Sequence, residues 1–310
     1  MFLDNFSRYE FKFPMTYADM DLLIGEINPY VAPDEHVNEQ GIYSISSIYL
    51  DNAARQCYYE TVNNDFFRQK VRLRVYGLHN DGDSPAFLEI KGKIDGLVVK
   101  RRVRMTVDSA MRFIGECVDK GNGFDLSRYR STNTQILEEL RRVIVAKSLR
   151  PVNVVSYERL PFVCLSDPDL RITFDYNVRT RGEDLDLTHG TYGERSCPGG
   201  VAILEVKTSK AIPYWLVEIL GGFGYRNQTF SKYCSHFAPQ PVMLSGPESG
   251  NTHGRKALDA AAAGGEKELP GENVLHGLTG DIKATDTDRK GNLDAKGEYK
   301  YVANIFDVAY

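Results

Sequence analysis

Five stretches of this chain place charged residues two apart with an apolar residue between them: Glu10-Phe11-Lys12, Arg72-Leu73-Arg74, Glu89-Ile90-Lys91, Arg102-Val103-Arg104 and Glu205-Val206-Lys207. Residues i and i+2 of a strand share a face, so each stretch reads as a strand with one charged and one apolar face. The same alternation predicts strands over 8–13, 42–50, 71–76, 87–93, 97–106, 152–159, 170–178 and 201–208, the first ended by Pro14. Asp95-Gly96 joins two of them as a hairpin turn. Helices are expected from a Thr16 cap to about Ile27, over 53–62, 109–118 and 133–149, and from Pro213 to Leu220. The 230–237 segment closes the pattern. Hairpins dominate and no βαβ alternation occurs, so the fold class is α+β with an antiparallel sheet.

Periodicity runs through residues 1–240. After Pro239-Gln240-Pro241 the composition turns to Gly, Ala and mixed charge, and 241–310 is expected to be a low-complexity, largely flexible tail. Its last stretch, Tyr299 to Tyr310, is richer in aromatics and reads as a loosely attached end. The chain of 310 residues thus holds one substantial domain.

A net charge of −4 argues against a general nucleic-acid binder. Locally the balance differs, with ten Lys or Arg against four Asp or Glu between Phe66 and Met105. The five cysteines lack C-x-x-C spacing and read as reduced thiols rather than disulfides or zinc ligands. The six histidines form no H-x-x-x-H pair and read as structural or exposed. No secretory leader and no membrane-length apolar run is present, so a cytoplasmic location is expected, with docking on a membrane protein left open.

Like charges crowded on one sheet face are costly unless paired or ligand-bound. Arg and Lys match phosphate oxygens, and carboxylates suit Mg²⁺ or Mn²⁺. A charged strand face therefore points to a polyanion held with metal. Neither a P-loop, nor a Rossmann fingerprint, nor the His-Arg-Asp and Asp-Phe-Gly motifs of protein kinases occurs.

Six segments in order carry a family resemblance: residues 7–13 (Ser-Arg-Tyr-Glu-Phe-Lys-Phe), 47–52 (Ser-Ile-Tyr-Leu-Asp-Asn), 72–76 (Arg-Leu-Arg-Val-Tyr), 87–91 (Phe-Leu-Glu-Ile-Lys), 202–207 (Ala-Ile-Leu-Glu-Val-Lys) and 230–233 (Phe-Ser-Lys-Tyr). Together, over about residues 6–238, the chain resembles the vacuolar transporter chaperone (VTC) type polyphosphate polymerases, within the triphosphate tunnel metalloenzyme or CYTH-like superfamily. The resemblance implies a closed antiparallel β-barrel with a charged lumen and flanking helices. By the same resemblance Lys12, Arg72, Arg74, Lys91 and Lys100 line the tunnel, Arg102 shares the facing of Lys100, and Arg171 opens another lumen segment whose second arginine is Arg179 or Arg181. Glu205 matches the metal carboxylate, with Glu10 beside it. Lys207, Ser231 and Lys232 contact phosphate.

The implied activity moves the γ-phosphoryl group of ATP onto a growing polyphosphate chain with Mn²⁺ or Mg²⁺, beside a possible membrane-embedded partner. Many superfamily members open with Glu-x-Glu-x-Lys. Here Arg8 replaces the first carboxylate, which weakens a two-metal hydrolase and favours a longer polyanion. The rivals are a triphosphate hydrolase or nucleotide cyclase on the same barrel, and a non-catalytic polyphosphate or inositol phosphate binding module. Taken singly, the residues have plainer readings: Glu89 as the counter-ion of Lys91, Lys232 as a surface lysine, Lys93, Arg101 and Arg104 as rim charges, and Trp215 as a core anchor.

Overall fold

The structure, a computed structural model, describes residues 9–35, 37, 38, 41–94, 97–197, 199–238 and 242–244. Arg8, the Asp95-Gly96 turn and the tail from 245 onward lie outside them. In chain order the elements are β1 (Tyr9–Thr16), α1 (Tyr17–Ile27), β2 (Val31–Pro33), β3 (Tyr43–Asp51), α2 (Gln56–Val62), β4 (Phe67–Tyr76), β5 (Pro85–Ile94), β6 (Leu97–Thr106), α3 (Val107–Lys120), α4 (Thr134–Ala146), β7 (Arg150–Cys164), β8 (Arg171–Arg181), β9 (Glu194–Arg195), β10 (Val201–Thr208) and α5 (Tyr214–Gly222). Side-chain caps start the helices where Thr and Asn stand. Thr16 accepts from the Asp19 amide, Thr106 from Ser109, and Asn133 from Gln135 and Ile136.

The strands form one antiparallel sheet in the order β1-β10-β8-β7-β3-β4-β5-β6, with β2 and β9 attached to β7 and β8. Pro14 does not end β1, which runs on to Thr16. β1 is an edge strand, where a missing N–H leaves no broken ladder. α2 begins three residues later than expected, at Gln56.

The expected closed barrel is not formed: among the described residues the edge strands β1 and β6 do not pair with each other. Both free edges have other partners. The Lys12 amide donates to Asn227 Oδ1 at 2.9 Å and its carbonyl accepts from the Gln228 amide at 2.8 Å. On β6 the Arg104 amide donates to Thr132 Oγ1 at 3.1 Å, and Arg101 pairs with Glu139 on α4. The sheet still curls until side chains meet across the gap, where Lys91 Nζ on β5 lies 3.2 Å from Glu10 Oε2 on β1. We call the enclosed concave space the channel.

The apolar residues that alternate with these charges face outward and are buried under helices, whereas Phe87 and Ile203 share the inner face with Glu89 and Glu205. Val71, Leu73, Val75, Leu88, Ile90 and Val103 pack with Phe113 of α3 and Leu137, Leu140 and Ile144 of α4. Val206, Leu204, Ile172 and Phe174 pack with Met20, Leu23 and Ile27 of α1 and Leu216 and Leu220 of α5. Each large side chain buried this way contributes about 1.5–3 kcal/mol, which fixes register and turns the charges inward. Trp215 is a partly buried margin of the second cluster and stacks on Tyr30 with ring centroids 4.2 Å apart. The five cysteines are buried and free.

One buried carboxylate positions the segment that carries Ser231 and Lys232. Asp51 Oδ1 accepts the amides of Asn52 (2.8 Å) and Cys57 (2.9 Å), and Oδ2 accepts the Tyr58 amide (3.0 Å) and the Tyr233 hydroxyl. An Asp51→Ala variant should lose about 3 kcal/mol of stability in urea unfolding, because four donors lose a charged acceptor at once.

Candidate functional site

Cross-strand register sets which charges meet. Arg72 on β4 stands opposite Glu89 on β5, which stands opposite Arg102 on β6. Glu89 is fully buried; its Oε2 takes Arg72 Nε at 2.7 Å and its Oε1 takes Lys100 at 2.6 Å, with Arg102 at 4.0 Å. Glu89 is therefore the counter-ion of Arg72 and Lys100, not of Lys91, whose carboxylate is Glu10. Arg72 also donates to the Tyr49 hydroxyl (3.2 Å), and Arg74 donates to Ser47 (3.2 Å) and the Tyr157 hydroxyl (3.1 Å). Arg74 has no carboxylate partner among the described residues.

A second cluster crosses β1, β10, β8 and β7. Glu205 Oε1 accepts from Lys232 at 2.9 Å with Lys12 at 3.6 Å, and its Oε2 accepts from Lys207 at 2.9 Å and Arg159 at 3.1 Å. Asp175 holds Arg159 at 2.6 Å and Lys232 at 2.5 Å. Glu10 joins Lys12 (3.1 Å) to Lys91. Lys232 is thus a buried ion-pair partner and no surface lysine.

Burial alone pushes the Glu205 carboxyl up, but Lys207, Lys232, Lys12 and Arg159 outweigh it and hold it well below the usual carboxylate range. Burial likewise opposes, and Lys91 and Lys12 reverse, the shift of Glu10, which also ends low. Lys100 goes the other way. Burial lowers it, Glu89 pulls it back, and Arg72 and Arg74 lower it further, to about 7. Burial raises Tyr49, yet Arg72 and Arg74 bring its hydroxyl down to about 8. Lys100 and Lys91 keep 38% and 37% of their side chains exposed, so the field reaches solvent.

Among the described residues ten cations (Lys12, Lys70, Arg72, Arg74, Lys91, Lys100, Arg102, Arg159, Lys207 and Lys232) and four carboxylates (Glu10, Glu89, Asp175 and Glu205) meet in the middle of this space, an excess of six positive charges in a protein of net charge −4, and Arg68, Lys93 and Arg104 share the same face nearer the strand ends. The expected residues Lys12, Arg72, Arg74, Lys91, Lys100, Arg102, Lys207, Ser231, Lys232, Glu10 and Glu205 come together. Arg171 stands opposite Lys207 but is tied to Asp34 at 2.8 Å and is 45% exposed, which puts it at the rim.

Arg179 is not among them. β8 carries a bulge at Asn177, whose φ is +50°, so the register with β7 shifts and Arg179 pairs with outward-facing Ser156. Its guanidinium donates to the Gly193 carbonyl at 3.2 Å. Arg181 is turned the same way and binds the carbonyls of Asp184, Asp186, Gly190 and Tyr192. An Arg179→Ala variant should bind triphosphate within about 0.5 kcal/mol of the wild type by calorimetry.

Sequence reasoning missed Lys70, Tyr157, Arg159 and Asp175. Lys70 continues the two-residue period of Arg72 and Arg74, and Tyr157 and Arg159 repeat it on β7, so the signal was in the alternation.

Among the described residues no three His, Cys, Asp or Glu side chains form a cluster able to hold a metal by themselves. The donor set still fits a hard cation that also takes phosphate oxygens. Glu205 lies close enough to Glu10 to push its carboxyl upward against the lysines, and across the strand from Glu205 the Thr173 hydroxyl, 6% exposed, has no hydrogen-bond partner among the described residues.

A family model described as VTC domain matches residues 7–239. The chain belongs to the VTC domain family. The six ordered motifs had pointed there. Among solved structures it is similar to a protein from Bacillus halodurans proposed to be an adenylate cyclase, at 10% identity over 76% of this chain and 100% of that one, with a TM-score of 0.44. It is also similar to the PH1819 protein from Pyrococcus horikoshii OT3, at 15% identity over 74% and 98%, with a TM-score of 0.35. No curated protein matches. No helix among the described residues is long and apolar enough to cross a membrane.

Proposed function

We propose that this VTC-domain protein is a metal-dependent polyphosphate polymerase that transfers the γ-phosphoryl group of ATP to the end of a polyphosphate chain. The observation that carries the reading is the six-charge cationic excess inside the channel of a net acidic protein, centred on Arg72, Arg74, Lys91 and Lys100. Family membership supports a polyphosphate-related function.

The reaction joins two polyanions that repel each other. A terminal oxygen of the acceptor attacks the γ-phosphorus in line, the bond from that phosphorus to the β-bridging oxygen breaks, and ADP leaves. The acceptor oxygen is already anionic, so no protein nucleophile or base is required. Arg72, Arg74, Lys91 and Lys100 neutralise the approaching oxygens, and Arg102 and Lys207 extend the field along the chain. Glu205 and Glu10 would hold Mn²⁺ or Mg²⁺, which supplies charge neutralisation and polarises the phosphoryl group. Lys12 and Lys207, which both contact Glu205, are placed to turn onto phosphate when the carboxylate takes another partner.

Purified protein with ATP and Mn²⁺ or Mg²⁺ should yield a polyphosphate ladder on a gel that separates chains by length. Orthophosphate or cyclic nucleotide with no ladder would overturn the reading.

Lys100 gives the channel a pH dependence. It is charged below about 7 and neutral above, so raising the pH from 6 to 8 removes one channel cation. Metal-free triphosphate affinity should fall over that interval, and the fall should be smaller in Lys100→Gln. The difference between the two calorimetric pH profiles cancels the titration of the ligand itself.

A further inference from the structure

Lys70 differs from its neighbours on β4. It shares the channel face with Arg72 and Arg74, and the register sets it directly opposite Lys91, which stands opposite Lys100. Three lysines therefore form one rung across three strands, an arrangement of like charges that destabilises an empty sheet. Lys91 answers to Glu10 and Lys100 to Glu89. Lys70 has no carboxylate within ion-pairing distance among the described residues. Among the described residues its side chain donates to Ser231 Oγ at 3.3 Å, and its ammonium lies 5.3 Å from the Tyr233 ring centroid. Burial lowers its pKa, and Lys91 and Lys12 add to the depression against the pull of Cys234 and Tyr49. No carboxylate among the described residues pairs with this cation, and Ser231 beside it is held by the Asp51–Tyr233 contact described above.

We infer that Lys70 is an additional phosphate-binding residue of the channel, holding an anionic phosphate oxygen together with Ser231 and Lys91. This rests on the reading of the channel as a polyanion site. The recognised group is a phosphate within a linear phosphoanhydride chain, from either the triphosphate of a nucleotide or the polymer. A missing counter-ion is a cost to the free protein that a bound phosphate removes, so the same side chain opposes stability and favours binding.

The test is calorimetric binding of inorganic triphosphate and of a longer linear polyphosphate to the full chain, without metal, for wild type, Lys70→Met and Lys70→Arg, alongside thermal unfolding of each. Lys70→Met should lose roughly tenfold in affinity, the lower end of a charge-assisted contact, and melt at or above the wild-type temperature, with binding retained in Lys70→Arg. Equal losses for both probes place Lys70 on the first three phosphates. A loss for the long chain alone places it on the polymer. Wild-type affinity of Lys70→Met for both probes overturns the assignment while leaving the channel reading intact. A binding loss that comes with a lower melting temperature and is not rescued by arginine makes Lys70 structural and overturns it too. Failure of the wild type to bind either probe overturns the channel reading and this inference with it.

Discussion

Asp175→Asn should destabilise the protein by about 3–5 kcal/mol, the cost of removing one partner from a buried ion-pair network. Asp175 is fully buried and compensates two buried cations, Arg159 and Lys232. Without it both depend on Glu205, which already serves Lys12 and Lys207. The urea midpoint should fall with an unchanged slope, and a loss under about 1 kcal/mol would contradict the network as described. The pH sign follows from the same cluster. Asp175, Glu205 and Glu10 each have a folded pKa below the unfolded value, so their contribution is present above the ordinary carboxylate range and is lost as the pH falls through the folded values. In Asp175→Asn that acid-dependent loss should shrink.

Arg72→Ala should lower polymer synthesis by about 10²–10³-fold, the range for removing a preorganised charge at a transition state. Arg72 Nε is held by Glu89 and Nη1 by the Tyr49 hydroxyl, so the guanidinium is fixed before substrate arrives, and Nη2 makes no hydrogen bond within the described protein. Removing Arg72 also leaves Glu89 with less compensation. The double variant Arg72→Ala with Glu89→Gln separates the two effects. It should recover stability and remain inactive in initial-rate assays; full activity in either variant would remove Arg72 from the site.

Much of this arrangement was legible in the alternation of charged and apolar residues. Because the period is two, Leu73, Ile90, Val103 and Val206 sent their faces to the helices, and their charged neighbours were left to share one interior. Which charge meets which was not legible, since Glu89 stands two residues from Lys91 but its partners come from β4 and β6. The bulge at Asn177 was also hidden: a single left-handed residue reverses the facing of everything after it, and Arg179 reads as an inward arginine only if β8 is regular. Closure failed for a similar reason. Periodicity reports the faces of a strand, not its edges, and the edges of β1 and β6 are occupied by Asn227, Gln228 and Thr132. The burial of Lys232 was not legible either, because a lone lysine after a serine carries no sign that Asp175 and Glu205 enclose it.

The central claim is that the channel passes the γ-phosphoryl group of ATP to a phosphate chain. The most direct measurement follows γ-labelled and α-labelled ATP with purified protein, Mn²⁺ and a short polyphosphate of defined length. The account predicts that γ-label enters chains longer by one phosphate, with one ADP formed for each, while α-label stays in the nucleotide. Appearance of γ-label as orthophosphate, or of α-label in a cyclic nucleotide, with the acceptor unchanged in length, would contradict it.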